Sequence, residues 1–206
     1  AHFNSQLIED GQLFAAITAE RDGHDYVNSA IENGAGALLV SKAQLDVSIP
    51  QIIVADTRKA LGDLARVWRA QFTFPVIAIT GSCGKTTTKD ILGKLLSSRG
   101  PIVVTKGNYN NDLGVPLTLF RINDDTRYAV IEVGTNAPGE IAYLADLVQP
   151  THALITNVSA QHLEGLKSLE GVLEEKADLL RSLSEEGVAL INQDDQKILK
   201  MASSLR

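Results

Sequence analysis

Pro75-Val76-Ile77-Ala78-Ile79 runs directly into Thr80-Gly81-Ser82-Cys83-Gly84-Lys85-Thr86-Thr87-Thr88. An apolar run, a glycine-containing turn and then helix-forming positions describe a buried strand, a tight loop and a helix starting at Lys85 or just before it. That layout suits one kind of ligand above others. Gly81 and Gly84 let the backbone turn tightly, so that its N–H groups point inward at an anion. The helix start adds unpaired N–H groups and a partial positive charge. Lys85 supplies a full charge for terminal phosphates, and Thr86 a hydroxyl for Mg2+. Gly81, Ser82, Cys83, Gly84, Lys85, Thr86 and Thr87 are therefore the candidate phosphate site, with ATP or GTP the first ligand to consider. The loop is shorter than the common G-x-x-x-x-G-K-[ST] pattern, because Ile79 stands where its first glycine falls. Ile91, Leu92, Leu95 and Leu96 mark the expected packing face of the helix. Cys83 is read as a small residue that fits the turn.

Downstream of Pro75, strands are expected at 76–80, 102–105, 128–133, 153–156 and 188–191. Helices are expected at roughly 85–98, 139–147, 169–183 and 193–203, with a loop at 107–122 that opens a shorter apolar helix. Apolar strands alternating with helices predict a parallel sheet covered on both faces. Ligands of such sheets gather at the carboxyl ends of the strands. Upstream, strands are expected at 13–17, 37–40 and 52–55, the last two buried, with a short helix at 26–32. Asp56 or Thr57 caps a further helix whose stripe is Ala60, Leu61, Leu64, Ala65 and Trp68. Thr73-Phe74-Pro75 breaks that helix. The class is thus α/β: a small N-terminal α/β domain at 1–74 and a P-loop-type parallel-sheet domain at 75–206. Asp22, His24 and Asp25 read as a turn and helix start, not a metal site.

Composition narrows the partners. A net charge of −6 argues against nucleic acid, which needs clustered Lys and Arg. No run is long and apolar enough to span a bilayer. The opening AHFNSQLIEDGQ has no basic stretch followed by an apolar one. A single cysteine excludes an internal disulfide and fits a reducing cytoplasm, the expected location.

Three expected strands end on unusual residues. After 102–105 comes Gly107-Asn108-Tyr109-Asn110-Asn111-Asp112-Leu113-Gly114-Val115-Pro116. Asparagines are poor in helix and strand, yet this stretch returns at once to apolar sequence, which suggests an ordered loop near the site. After Tyr128 to Ile131 comes Glu132, a carboxylate ending a buried strand and costly there unless paired or metal-bound. Beside a phosphate loop, Mg2+ is its natural partner; an ion pair with a neighbouring lysine is the alternative. After 153–156 comes Asn157-Val158-Ser159-Ala160-Gln161-His162, where His162 is a candidate ligand for a second metal or for substrate.

Together TGSCGKTTT (80–88), GNYNNDLGVP (107–116), EVGTNAPGEI (132–141), TNVSAQHLEG (156–165) and LEGVLEEKADLL (169–180) resemble the Mur ligase family, ATP-dependent amide ligases of peptidoglycan synthesis. The asparagine-rich loop and N-A-P-G-E-I most resemble the branch that joins D-Ala-D-Ala to UDP-MurNAc-tripeptide. QLFAAITAERDGHDYV and GAGALLV are similar to its N-terminal domain, which holds the UDP end of the substrate. The resemblance implies the following roles. Lys85 contacts the β- and γ-phosphates of ATP; Thr86 and Glu132 bind one Mg2+, and His162 the second. Lys176 matches a lysine that is carbamylated to support the second metal site. Read by itself, Lys176 after Glu174-Glu175 is a solvated helix face. Asn192 and Asp194 match adenine-side contacts. Asn108, Asn110, Asn111 and Ser159 fall on the substrate side.

Two features depart from the family. Asn4-Ser5-Gln6 stands where relatives carry D-S-R or D-T-R, and Ala19 stands where a glycine is usual. The resemblance also stops within the central domain. The expectation is a monomeric chain holding the N-terminal domain and part of the ATPase domain, unable to complete ligation alone. A related Mur-type ligase, a folylpolyglutamate synthase-like enzyme, a P-loop small-molecule kinase and a non-catalytic nucleotide-binding module stand as alternatives.

Overall fold

The computed structural model describes residues 1–160 and 163–204. By its contacts the chain divides into two units, Ala1–Leu64 and Ala65–Arg206.

The first unit holds a three-stranded parallel sheet of β1 (Leu13–Ala15), β2 (Ala37–Val40) and β3 (Gln51–Ile53), in that order. Helix α1 (Val27–Glu32) joins the first two strands, and helix α2 (Thr57–Arg69) follows the third. Phe14, Leu38 and Val40 are fully buried among Ile8, Val27 and Ala30. The Asp22–Asp25 stretch is a turn and helix start, as read. Asp22 caps a short 3-10 turn, and the His24 ring bridges the Asp22 carboxylate (2.6 Å) and the backbone N–H of Ser41 (3.0 Å). The expectation of a buried strand at 52–55 is corrected. β3 is the sheet edge, and Ile52 and Ile53 are exposed. Apolar composition does not distinguish an edge from a centre.

The second unit alternates β4 (Val76–Thr80), α3 (Lys85–Ser97), β5 (Ile102–Val104), α4 (Gly114–Leu119), β6 (Tyr128–Glu132), α5 (Glu140–Val148), β7 (His152–Ile155), α6 (Leu163–Leu166), α7 (Leu169–Arg181), β8 (Val188–Ile191) and α8 (Gln196–Ser204). All five strands are parallel, in the order β5-β6-β4-β7-β8. The chain leaves β4 for the β5 edge, returns through β6, then crosses to β7 and β8. The switch point therefore lies at the carboxyl end of β4, where the phosphate loop begins. Register sets Ile79 beside Glu132 and Thr80 beside Ile155.

One face of the sheet buries Ile77, Ile79 and Val130 under Leu92 and Leu96 of α3. The other buries Val76, Ala78, Ala129, Ile131 and Ala153 with side chains of α4, α5, α7 and α8. Two expectations are corrected here. Ile91 and Leu95 point to solvent, at 57% and 64% exposure, and α3 instead buries Lys89 and Gly93. At edge strand β8, Val188 and Leu190 are exposed, so this strand is not covered on both faces.

The units part within α2, earlier than the boundary expected at 74/75. Asp56 caps the start of this helix by accepting from Arg58 N and Lys59 N. The end of α2 belongs to the second unit. There Trp68 Nε1 donates to the Ile122 carbonyl at 3.0 Å, and the buried Arg69 donates to the Val148 and Gln149 carbonyls that close α5. These bonds satisfy carbonyls that the end of α5 leaves without a helical partner.

Candidate nucleotide and metal site

The phosphate loop is held from below by the segment that follows β7. Ser82 N donates to the Asn157 carbonyl at 2.9 Å. Asn157 then clamps Cys83 from both sides, with Oδ1 accepting from Cys83 N (2.8 Å) and Nδ2 donating to its carbonyl (2.9 Å). Thr156 Oγ1 donates to the same carbonyl at 2.6 Å. Gly81 and Gly84 sit at φ +148° and +81°. A Cβ at Gly81 would also run into the Thr156 hydroxyl, so glycine is required there twice over. Lys85 opens α3 and folds back on its own loop, donating to the Gly81 (2.7 Å) and Ser82 (3.3 Å) carbonyls. Cys83 and Thr87 are exposed.

Glu132 ends β6 with 1% exposure, and several donors converge on it. Thr86 Oγ1 donates to Oε2 at 2.9 Å, and Asn110 Nδ2 donates to Oε1 at 2.8 Å. Thr105 Oγ1 accepts from the Glu132 backbone N–H at 2.9 Å, tying the end of the strand down. The Lys89 ammonium lies 3.9 Å from Oε2. The lysine partner considered for this carboxylate is thus present, and the Thr86 hydroxyl stands beside it. A carboxylate and a hydroxyl are hard oxygen donors. They fit Mg2+, which takes few protein ligands and completes its shell with water and phosphate oxygens. Among the described residues, no group of three or more His, Cys, Asp or Glu could hold a metal by itself.

The asparagine loop divides its labour. Asn110 reaches Glu132. Asn111 Oδ1 accepts from Gly114 N at 2.8 Å and so supports the start of α4. Asn108 is exposed, and its carbonyl accepts from Asn110 N at 2.7 Å. Ser159 was expected on the substrate side, but its backbone is committed to the phosphate loop. Its N–H donates to Ser82 Oγ (2.9 Å), and its carbonyl accepts from that hydroxyl (3.1 Å). Asn192 donates to the Thr156 carbonyl at 3.0 Å, while Asp194 is exposed beside it. His162 lies outside the described residues.

α7 overturns the reading of a solvated face: Glu175 and Lys176 are 4% and 3% exposed. The Glu175 carboxylate accepts from Gly139 N (2.7 Å), Ile141 N (2.7 Å) and Thr135 Oγ1 (3.2 Å). It therefore caps α5 from a neighbouring helix and ties α7 to the segment leaving Glu132. Burial, and then the Lys85 charge, pull the Lys176 ammonium down from 10.5 to about 8, against the pull of Glu175.

Local spacing did not single out Lys89, Asn157, Glu175 or Asp195. Asp195 is buried and accepts from Val158 N at 2.9 Å, which steadies the segment under the phosphate loop. The one available signal was position. Asn157 follows directly on the strand that neighbours the loop, and Asp195 stands in the same INQDD stretch as Asn192 and Asp194.

A parallel α/β sheet with a short phosphate loop at its switch point, a strand-end glutamate facing the loop threonine and a buried lysine on a later helix define the class. Residues 79–206 match the Mur ligase middle domain, and the chain belongs to the Mur ligase family. Relatives matched along nearly the whole of this chain make the likeness more particular. The chain is 45% identical over 201 residues to the UDP-N-acetylmuramoyl-tripeptide--D-alanyl-D-alanine ligase of Escherichia coli (strain K12), covering 97% of this chain and 44% of that protein. Its fold matches crystal structure I of MurF from Acinetobacter baumannii with a TM-score of 0.90 at 39% identity, over 98% of this chain and 45% of the other. A MurF ligase structure from Thermotoga maritima in complex with ADP matches with a TM-score of 0.88 at 32% identity, over 99% and 48%. The chain spans less than half the length of these relatives. Among the described residues, no helix is long and apolar enough to cross a membrane.

Proposed function

We propose that this chain carries the nucleotide-binding part of an ATP-dependent amide ligase that joins D-Ala-D-Ala to UDP-MurNAc-tripeptide in cytoplasmic peptidoglycan precursor synthesis. The observation that carries the reading is the convergence of Thr86 and Asn110 on the buried Glu132 carboxylate, beside the clamped phosphate loop. In the overall reaction the γ-phosphoryl group of ATP passes to the tripeptide carboxylate, giving an acyl phosphate and ADP. The D-Ala-D-Ala amine then attacks the acyl carbon, the C–N bond forms and inorganic phosphate leaves.

The residues supply what a meeting of anions requires. Lys85 swings from the Gly81 and Ser82 carbonyls to the β- and γ-phosphates. The N–H groups at the start of α3 cradle the phosphate chain. Thr86 and Glu132 hold Mg2+, which when bound neutralises charge on the phosphates, and His162 serves a second ion. Asn192 and Asp194 flank the adenine, and Asn108, Asn110 and Asn111 line the muramoyl-peptide side. Lys176, with its ammonium drawn down to about 8, is neutral in about a tenth of molecules at pH 7, far more than an ordinary lysine. A neutral amine is what addition to carbon dioxide needs: the N–C bond forms, a proton is released and a carbamate results. The first domain holds the UDP end of the substrate, and the chain acts as a monomer.

Calorimetric titration tests this reading. Mg·ATP and UDP-MurNAc-tripeptide should each bind the 206-residue chain. A chain that is folded by circular dichroism and ignores Mg·ATP would refute it.

A further inference from the structure

Lys89 lies one turn beyond Lys85 on α3, yet its side chain is almost fully buried, at 1% exposure for the whole residue. Its ammonium donates to the Gly107 carbonyl at 3.2 Å, pairs with Asp90 at 3.2 Å and faces Glu132 Oε2 at 3.9 Å. Burying an ammonium is costly unless it is paired. Here part of the pairing goes to the same oxygen that accepts from Thr86.

We propose that Lys89 is a resident cation of the metal site. It balances Glu132 while nucleotide is away, and so keeps a bare divalent ion from settling there. The inference rests on Thr86 and Glu132 being the Mg2+ ligands. The argument is Coulombic. The Lys89 and Glu132 side chains are each 2% exposed, so solvent and salt screen their interaction poorly. A divalent ion approaching Oε2 meets that fixed positive charge, and the negative phosphates of a nucleotide offset it. Metal binding is thereby made conditional on nucleotide. Lys89 is a positioning and charge-setting residue, with no contact to the reacting atoms. A purely structural pin would behave oppositely, since its removal would loosen Glu132 and weaken metal binding.

The probe is Mn2+ alone, titrated into the nucleotide-free 206-residue chain and read by the paramagnetic resonance signal of the free ion. Wild type is expected to bind weakly. Lys89→Met, which keeps the length and removes the charge, is expected to bind about tenfold more tightly, near 1.4 kcal/mol. Lys89→Arg should keep the wild-type weakness, and Glu132→Gln added to Lys89→Met should abolish the gain. Unchanged or weakened Mn2+ binding in a folded Lys89→Met chain overturns the proposal. Lys89→Gln replaces it if the Met variant does not fold. Micromolar Mn2+ binding by the nucleotide-free wild type that is lost in Glu132→Gln overturns it without any Lys89 variant. Failure of Mg·ATP to bind the wild type would instead sink the ligase reading, so the two failures are distinguishable.

Discussion

The phosphate loop and the middle of α7 each present a lysine, and the two are held in opposite ways. Lys85 stands half-buried at a helix start and rests on two carbonyls of its own loop. Those contacts are local and are easily exchanged for phosphate oxygens. Lys176 sits inside a packed helix, nearly inaccessible, with its neighbour Glu175 locked onto three donors from the α5 entry. Its character comes from burial, which draws the ammonium down to about 8. The difference teaches that a loop carries its chemistry in nearby spacing, whereas a helix residue acquires its chemistry from whatever packs against it.

The sharpest way to break the comparison is Lys85→Ala. If Lys85 is a mobile charge on a preformed loop, Mg·ATP binding should fall by more than about 100-fold while thermal stability stays near wild type. Calorimetry and a melting curve read both. A large loss of stability would show that Lys85 too is a packing residue. Glu175→Ala tests the other side. Removing that carboxylate strands buried N–H groups at the α5 start and should cost about 2–4 kcal/mol in urea unfolding, with Glu175→Gln recovering part of it.

The protonation of Lys176 sharpens the contrast further. Its folded value of about 8 lies below the unfolded 10.5. Between those pH values the unfolded chain binds more protons, so stability rises with pH across that window. Below pH 8 both states are protonated, and the full cost of burying the charge is present. In carbon dioxide-free buffer, wild type should therefore gain up to about 3 kcal/mol relative to Lys176→Met between pH 8 and 10.5, read by denaturant unfolding at each pH. The smallest effect is expected at Cys83. Its thiol is exposed while its backbone N–H and carbonyl are clamped by Asn157. Complete alkylation should weaken Mg·ATP binding only about threefold, a steric effect at the loop's rim, well under 1.4 kcal/mol.

Much of the fold was legible. The β2 and β4 strands fall where their apolar runs lie, and α3 begins at Lys85 as the glycine spacing implied. Part of the candidate site follows a strand end that the sequence marks: Glu132 closes β6 and accepts from Asn110. The rest was illegible where it depends on packing. Ile91 and Leu95 looked like core and face solvent, while Lys89, which no pattern singled out, is buried. Nothing local announced that the Ser159 backbone braces Ser82. In each case periodicity gave a helix or a loop, but not the neighbour that would cover it.

The order of amino acids determined by itself the alternation of strand and helix and the anion-seeking turn at 80–88. A glycine's freedom, an apolar period and a helix start all act within a few residues. Only the tertiary structure decided that Lys89, Glu175 and Lys176 are buried charges and that Asn157 clamps the loop. Desolvation and pairing depend on groups remote in the chain, and no short-range pattern records which of them will arrive.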